Sequence, residues 1–203
     1  MAGHTFRISL SQALPVSKRF IRNTTVELDL RKYLNIGPNA LFAARIFGFA
    51  SRGKNPYIFY FGGNNEIRTE YYYSIVGNEG WYANLEFRFP VFNSATTPIG
   101  QIGPIRGTLF VDVGRAIVQG FPSMYRFDPD NPFFPLTLYD AVGSYGFGFQ
   151  FFFLGFPIHL DFVKRVEIPD LSQPFQFTDF KDRFGELSDI GKLRAKLWIG
   201  FDF

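Results

Sequence analysis

The chain has 203 residues, a formal charge of +3, a pI near 9.1, no cysteine, and 28 phenylalanines within an aromatic content of 20%. The absence of cysteine excludes a disulfide framework and any thiolate metal centre, and basic residues dispersed among acids do not make a nucleic-acid footprint. No segment supplies the ~20 mostly apolar residues of a membrane-spanning helix; the richest, GFGFQFFFLGFPIHLDF, is broken by glycines, a proline and an aspartate.

In chain order, the first residues, MAGHTFRISL, lack an apolar core behind positive charge, so no secretory leader is read and an exported form is expected to be mature or excised. Alternation of apolar and polar residues, the period of a strand with two unlike faces, begins in TFRISLS and continues in TTVELDLR and in the noisier NALFAARIFGFA, where Arg45 is the one internal charge. These predict strands over 4–14, 22–34 and 39–51. The segment 52–80 reads as a long connection, containing GGNNEIRTEYYYSIVG with its turn-forming Gly and Asn cluster.

A fourth strand, 81–92, sets Trp81, Ala83, Leu85, Phe87 and Phe89 against Tyr82, Asn84, Glu86 and Arg88. RGTLFVDVG predicts 105–116, SYGFGFQFFF predicts 144–155 and PIHLDFVKR predicts 157–166. The last, 192–203, separates Leu193, Ala195, Leu197, Ile199, Phe201 and Phe203 from Lys192, Arg194, Lys196, Trp198, Gly200 and Asp202. Connections near 35–39 and 154–157 are tight while 52–80, 117–143 and 168–191 are long, the alternation expected of short periplasmic turns and long outer loops, although 93–104 is intermediate and departs from it.

Alternation also builds soluble sandwiches and lipocalin-like barrels, in which the apolar face points inward. Runs of 10 to 12 residues exceed the soluble average of about 5–6, and the aromatic-rich apolar face suits a lipid-facing wall. The expectation is a single domain, residues 1–203: an all-β, closed eight-stranded antiparallel transmembrane barrel of up-and-down order, whose charged lumen is filled by its own side chains.

The motifs GGNNEIR with its following tyrosines, NLEFRFP, GTLFVDVG and the terminal WIGFDF together resemble the C-terminal eight-strand barrel region of the bacterial surface antigen superfamily, the BamA-like assembly factors and two-partner secretion transporters. The resemblance covers nearly the whole chain. In that family the barrel has sixteen strands, and an outer loop re-enters the lumen with an arginine–glycine–aromatic tip that meets wall carboxylates. Carried over, the arginine is Arg68 and its partners are Glu86 and Asp112, which alternation also points inward. The other reading is an ordinary exposed loop arginine, and a closed eight-stranded lumen would expel Arg68 outward.

After Arg68 this chain has Thr69 and Glu70 where the family has glycine and an aromatic, so a differently folded tip is expected. The resemblance further implies an outer-membrane location, lipid as surroundings, and a terminal strand whose Trp198, Gly200, Phe201 and Phe203 form the insertion signal read by the barrel assembly machinery. The implied role is a membrane anchor or a remnant of a protein assembly or secretion barrel. A passive small-solute channel and half of a homodimeric sixteen-stranded pore are the alternatives.

No enzyme activity or cofactor is expected. His4 and His159 both fall at the end opposite the long loops, and His159 with Asp161 reads as a lumen hydrogen bond. DPDNP at 128–132 offers oxygens that could attract calcium, but reads as a proline-rich turn.

Overall fold

The computed structural model describes residues 3–14, 21–37, 39–93, 95–97, 100–118, 125–127, 136–138, 141–153, 156–168 and 193–200. These are all-β. Eight long strands form one antiparallel sheet: β1 (Gly3–Gln12), β2 (Asn23–Ile36), β3 (Ala40–Gly53), β6 (Glu79–Phe92), β9 (Ile105–Ile117), β12 (Ala141–Phe153), β13 (Phe156–Ile168) and β14 (Arg194–Ile199). Each pairs with its neighbour along the chain, giving a meander. Three short hairpins interrupt the connections: β4 (Phe59–Phe61) with β5 (Ile75–Gly77), β7 (Ala95–Thr97) with β8 (Gly100–Ile102), and β10 (Tyr125–Phe127) with β11 (Leu136–Leu138). Alternation could not reveal them, because three residues hold no measurable period.

The expected closure does not occur: among the described residues β1 and β14 are the free edges of the sheet. The terminal strand is described over Arg194–Ile199, shorter than read from sequence, and Phe201, Phe203, Lys192 and Asp202 lie outside the described residues, as does the DPDNP turn.

Side chains on the two faces are inverted relative to a water-soluble sheet. One face carries Phe6, Ile8 and Leu10 of β1, Val26 of β2, Ile46 of β3, Leu85 of β6, Leu109 and Val111 of β9, and Leu197 and Ile199 of β14, all exposed. The other buries Asp29, Asn84, Glu86, Asp112, Ser144, Gln150, His159 and Asp161. The register explains how the polar groups gather. Arg31, Arg45, Asn84, Asp112, Ser144 and Arg165 are successive cross-strand partners, a single polar row running from β2 to β13.

A compact apolar cluster interrupts the polar face. Phe49, Phe61, Ile67 and Tyr82 are buried together, with Phe47, Phe59, Ile75, Ala116 and Val142 packed around them. Phe61 and Ile67 come from the long β3–β6 connection, which therefore lies across the polar face as a strap.

Candidate functional site

The strap is built from its ends inward. Ser51 on β3 donates its backbone N–H to Asn78 O at 2.7 Å, Asn78 returns its side-chain amide to Ser51 O at 2.8 Å, and Tyr57 N–H reaches Ser51 Oγ at 2.8 Å. β4 and β5 then carry the chain over the sheet, with Phe59 against Phe49 at 4.2 Å between ring centroids and Phe61 against Tyr82 at 5.4 Å.

Beyond β4, Gly62 and Gly63 have φ of 118° and 109°, angles that side-chain-bearing residues rarely adopt. A Cβ on Gly62 would stand 2.6 Å from Tyr71 O. The tip closes on itself through Glu66 N–H to Gly63 O at 3.2 Å, Gly63 N–H to Ile67 O at 3.3 Å and Glu70 N–H to Ile67 O at 3.0 Å. Gly62 N–H also donates to the Glu66 carboxylate, and Asn84 donates its side-chain amide to Glu66 O. The result drives Ile67 into the apolar cluster and Arg68 beside it.

Arg68 is 4% exposed and sits in a cage of three carboxylates. Its Nη2 pairs with Glu86, its Nη1 lies 3.0 Å from Asp112 Oδ1, and its Nε is 3.8 Å from Asp161 Oδ2. Its backbone N–H donates to Asp112 Oδ2 at 3.3 Å, and the guanidinium lies 4.0 Å above the Phe110 ring. Burial by itself would lower the Arg68 pKa, but Asp112, Glu86 and Asp161 outweigh it and hold the proton more tightly than usual.

The carboxylates are in turn held. Asp112 accepts from Asn84 Nδ2 at 2.9 Å and Ser144 Oγ at 2.7 Å, Glu86 from Arg88 Nε at 2.7 Å, and Asp161 from the Trp198 indole at 2.7 Å. Lys196 of β14 donates to the backbone oxygens of Arg68 and Glu70, and Glu70 pairs with Arg165 at 2.9 Å. Flat strands would place β6 and β14 about 19 Å apart, four spacings of ~4.8 Å. Residues of both touch Arg68, so the sheet curls around the strap.

Arg68, Glu86 and Asp112 are thus brought together, and Arg68 is neither exposed nor expelled, because the strap is wedged against the wall by Ile67 and the carboxylates. Thr69 has no left-handed backbone. It is buried, with its hydroxyl 3.5 Å from Gly143 O, and among the described residues Tyr73 at φ 60° is the single non-glycine with positive φ. Sequence reasoning had no place for Asn84, Phe110 and Ser144 in the cage. Asn84 and Ser144 are the register partners of Asp112 on β6 and β12, so strand pairing was the signal that could have found them.

Trp198 points inward and stacks on His159 at 3.7 Å with an 8° interplanar angle. His159 Nε2 lies 3.0 Å from Gly200 O, just past β14, and 3.3 Å from Gln150 Nε2, while Asp161 is engaged by Trp198 and Arg68. A second cluster lies toward β2, where Asp29 takes Arg31 at 2.8 Å and Arg45 at 3.1 Å, and Arg45 covers the Tyr82 ring at 5.1 Å.

Glu66 offers a pH test of the strap. Its half-buried carboxyl has a raised pKa because burial disfavours the charged form, partly offset by the Gly62 N–H and by Arg45. With the folded pKa above the unfolded one, the native state binds more protons in the window between them, so stability falls as pH rises through it. Unfolding midpoints taken from pH 4 to 8 are expected to show that decline, and Glu66→Gln is expected to flatten it. An unchanged slope in the variant would remove Glu66 as its source.

No protein-family model matches the chain, and no curated protein matches it.

Proposed function

We propose that the chain forms the wall of an outer-membrane β-barrel of the surface antigen kind, serving as a membrane anchor or as part of a protein assembly or secretion barrel. The observation that carries this reading is the inverted polarity of the sheet. A face of exposed Leu, Ile, Val and Phe opposite a face of buried Asp, Glu, Asn and His suits hydrocarbon outside and a polar lumen inside. A lipocalin-like barrel needs the opposite arrangement. The arginine strap adds support, since it joins the resemblance in the motifs to a lumen-filling loop.

The open edges favour a wider barrel than eight strands. A closed eight-stranded barrel has room only for its own side chains, whereas here the strap residues Phe61, Ile67 and Arg68 occupy the inner side. Unpaired backbone groups of β1 and β14 are not tolerated in hydrocarbon. With eight alternating strands, β1 and β14 run antiparallel. Two copies related by a two-fold along the barrel axis can therefore pair β1 with the other copy's β14 at both seams, giving sixteen strands. Mass spectrometry of the folded chain released from detergent is expected to show a dimer. A folded monomer would eliminate the two-copy barrel, and failure to remain with vesicles through alkaline washing would eliminate the membrane wall itself.

A further inference from the structure

A cleft of about 750 Å³ opens between the strap and the ends of β1 and β2 nearest the long connections. Asn23 and Glu27 line it on the sheet side, and Tyr57, Phe59, Tyr60 and Tyr73 line it on the strap side. Neither the arginine cage nor the apolar cluster uses its open face.

Among the described residues Glu27 is the one charged residue lining the cleft, and its carboxylate makes no hydrogen bond or ion pair with them. Its register partners on β1 and β3 are Ser9 and Phe49. Of the described cations on the same face, Arg31 and Arg45 are both committed to Asp29, while Arg7, opposite Asp29 in register and diagonal to Glu27, is exposed and makes no ion pair with the described residues. A carboxylate that shares a cleft with aromatic rings and, among the described residues, no cation selects against anions and favours a positive charge.

The aromatic wall is open in the same way. Tyr57, Tyr60 and Tyr73 are 58%, 57% and 69% exposed although they border a cavity. Tyr57 meets Phe59 edge to face, at 81° and 5.0 Å. Tyr73 holds its ring there from a left-handed backbone, a conformation that costs free energy for a bulky residue and persists where its surroundings enforce it.

We propose that this cleft binds an alkylammonium group, seated against the ring faces of Tyr57, Tyr60 and Tyr73 with the Glu27 carboxylate as counter-charge. Ring quadrupoles attract such cations and do so more strongly where water is displaced. The proposal does not depend on the membrane reading, because the cleft is formed within one chain.

The test is titration of the folded, detergent-solubilised chain with tetramethylammonium chloride, following tyrosine ring resonances, with sodium chloride at matched ionic strength as control. The expected result is a saturable change with tetramethylammonium that sodium does not produce. Glu27→Gln is expected to weaken it about tenfold, and Tyr60→Leu severalfold. Tyr60 is exposed, so its replacement keeps the measurement decisive even where Glu27→Gln does not fold. A non-saturating response equal to that of sodium, undiminished binding by Glu27→Gln, or equal saturation by neutral glucose would each overturn the proposal.

Discussion

Replacing Arg68 by methionine is expected to destabilise the folded protein by about 3–5 kcal/mol, the range found when one partner of a buried ion pair is removed. The aliphatic stem is retained, so the loss is that of the guanidinium, which faces Glu86, Asp112 and Asp161. Those carboxylates would remain buried with Arg88 and Lys196 as the nearest remaining cations, Arg88 on Glu86 and Lys196 on the strap backbone. Adding Asp112→Asn to Arg68→Met should then cost far less than Asp112→Asn alone, because the charge it removes has already lost its partner. The coupling is expected to lie in the upper part of the ~0.5–3 kcal/mol range for contacting residues. Urea unfolding followed by tryptophan fluorescence gives all four corners of the cycle, and strictly additive losses would refute an energetic link between strap and wall.

Val111→Arg is expected to cost about 2–4 kcal/mol when the protein unfolds from lipid, the depth-dependent cost of an arginine near the bilayer midplane. Val111 lies midway along β9, exposed on the apolar face, with Leu85 and Tyr145 as its register partners on either side. On a water-facing sheet the same change would fall within about 0.5 kcal/mol, as exposed substitutions usually do. The two environments therefore predict well-separated results for one substitution that touches neither the strap nor the cage. A loss below 0.5 kcal/mol in lipid vesicles would place the apolar face outside the hydrocarbon, and with it the outer-membrane reading would fall.

The sequence by itself determined the eight long strands and their faces. Side chains alternate with a period of two, so KLRAKLWI, NLEFRFP and FVDVG each declare which residues share a side, and consecutive antiparallel pairing follows when neighbours in sequence are neighbours in space. On that basis Glu86, Asp112 and Asp161 could be set on one face before any pairing was known. The inverted burial of that face does not follow from alternation, because which side meets solvent is not written in the period.

Tertiary structure decided most of the rest, because the contacts that build the site join residues distant in the chain. The Lys196 bond to Arg68 O spans 128 positions and no local pattern encodes it, whereas the Arg68–Asp112 pair, 44 positions apart, is legible in advance only through the resemblance of the motifs. The path of the strap depends on two glycines at positive φ and on Ile67 finding a pocket between Phe49, Phe61 and Tyr82, and Thr69 is buried there without a left-handed backbone. The open seam was also hidden, since whether β1 meets β14 depends on the curvature of the whole sheet and on what fills its inner side. Local periodicity fixes the face on which each side chain lies; the space enclosed by eight such faces, and what must occupy it, is fixed only when they are assembled.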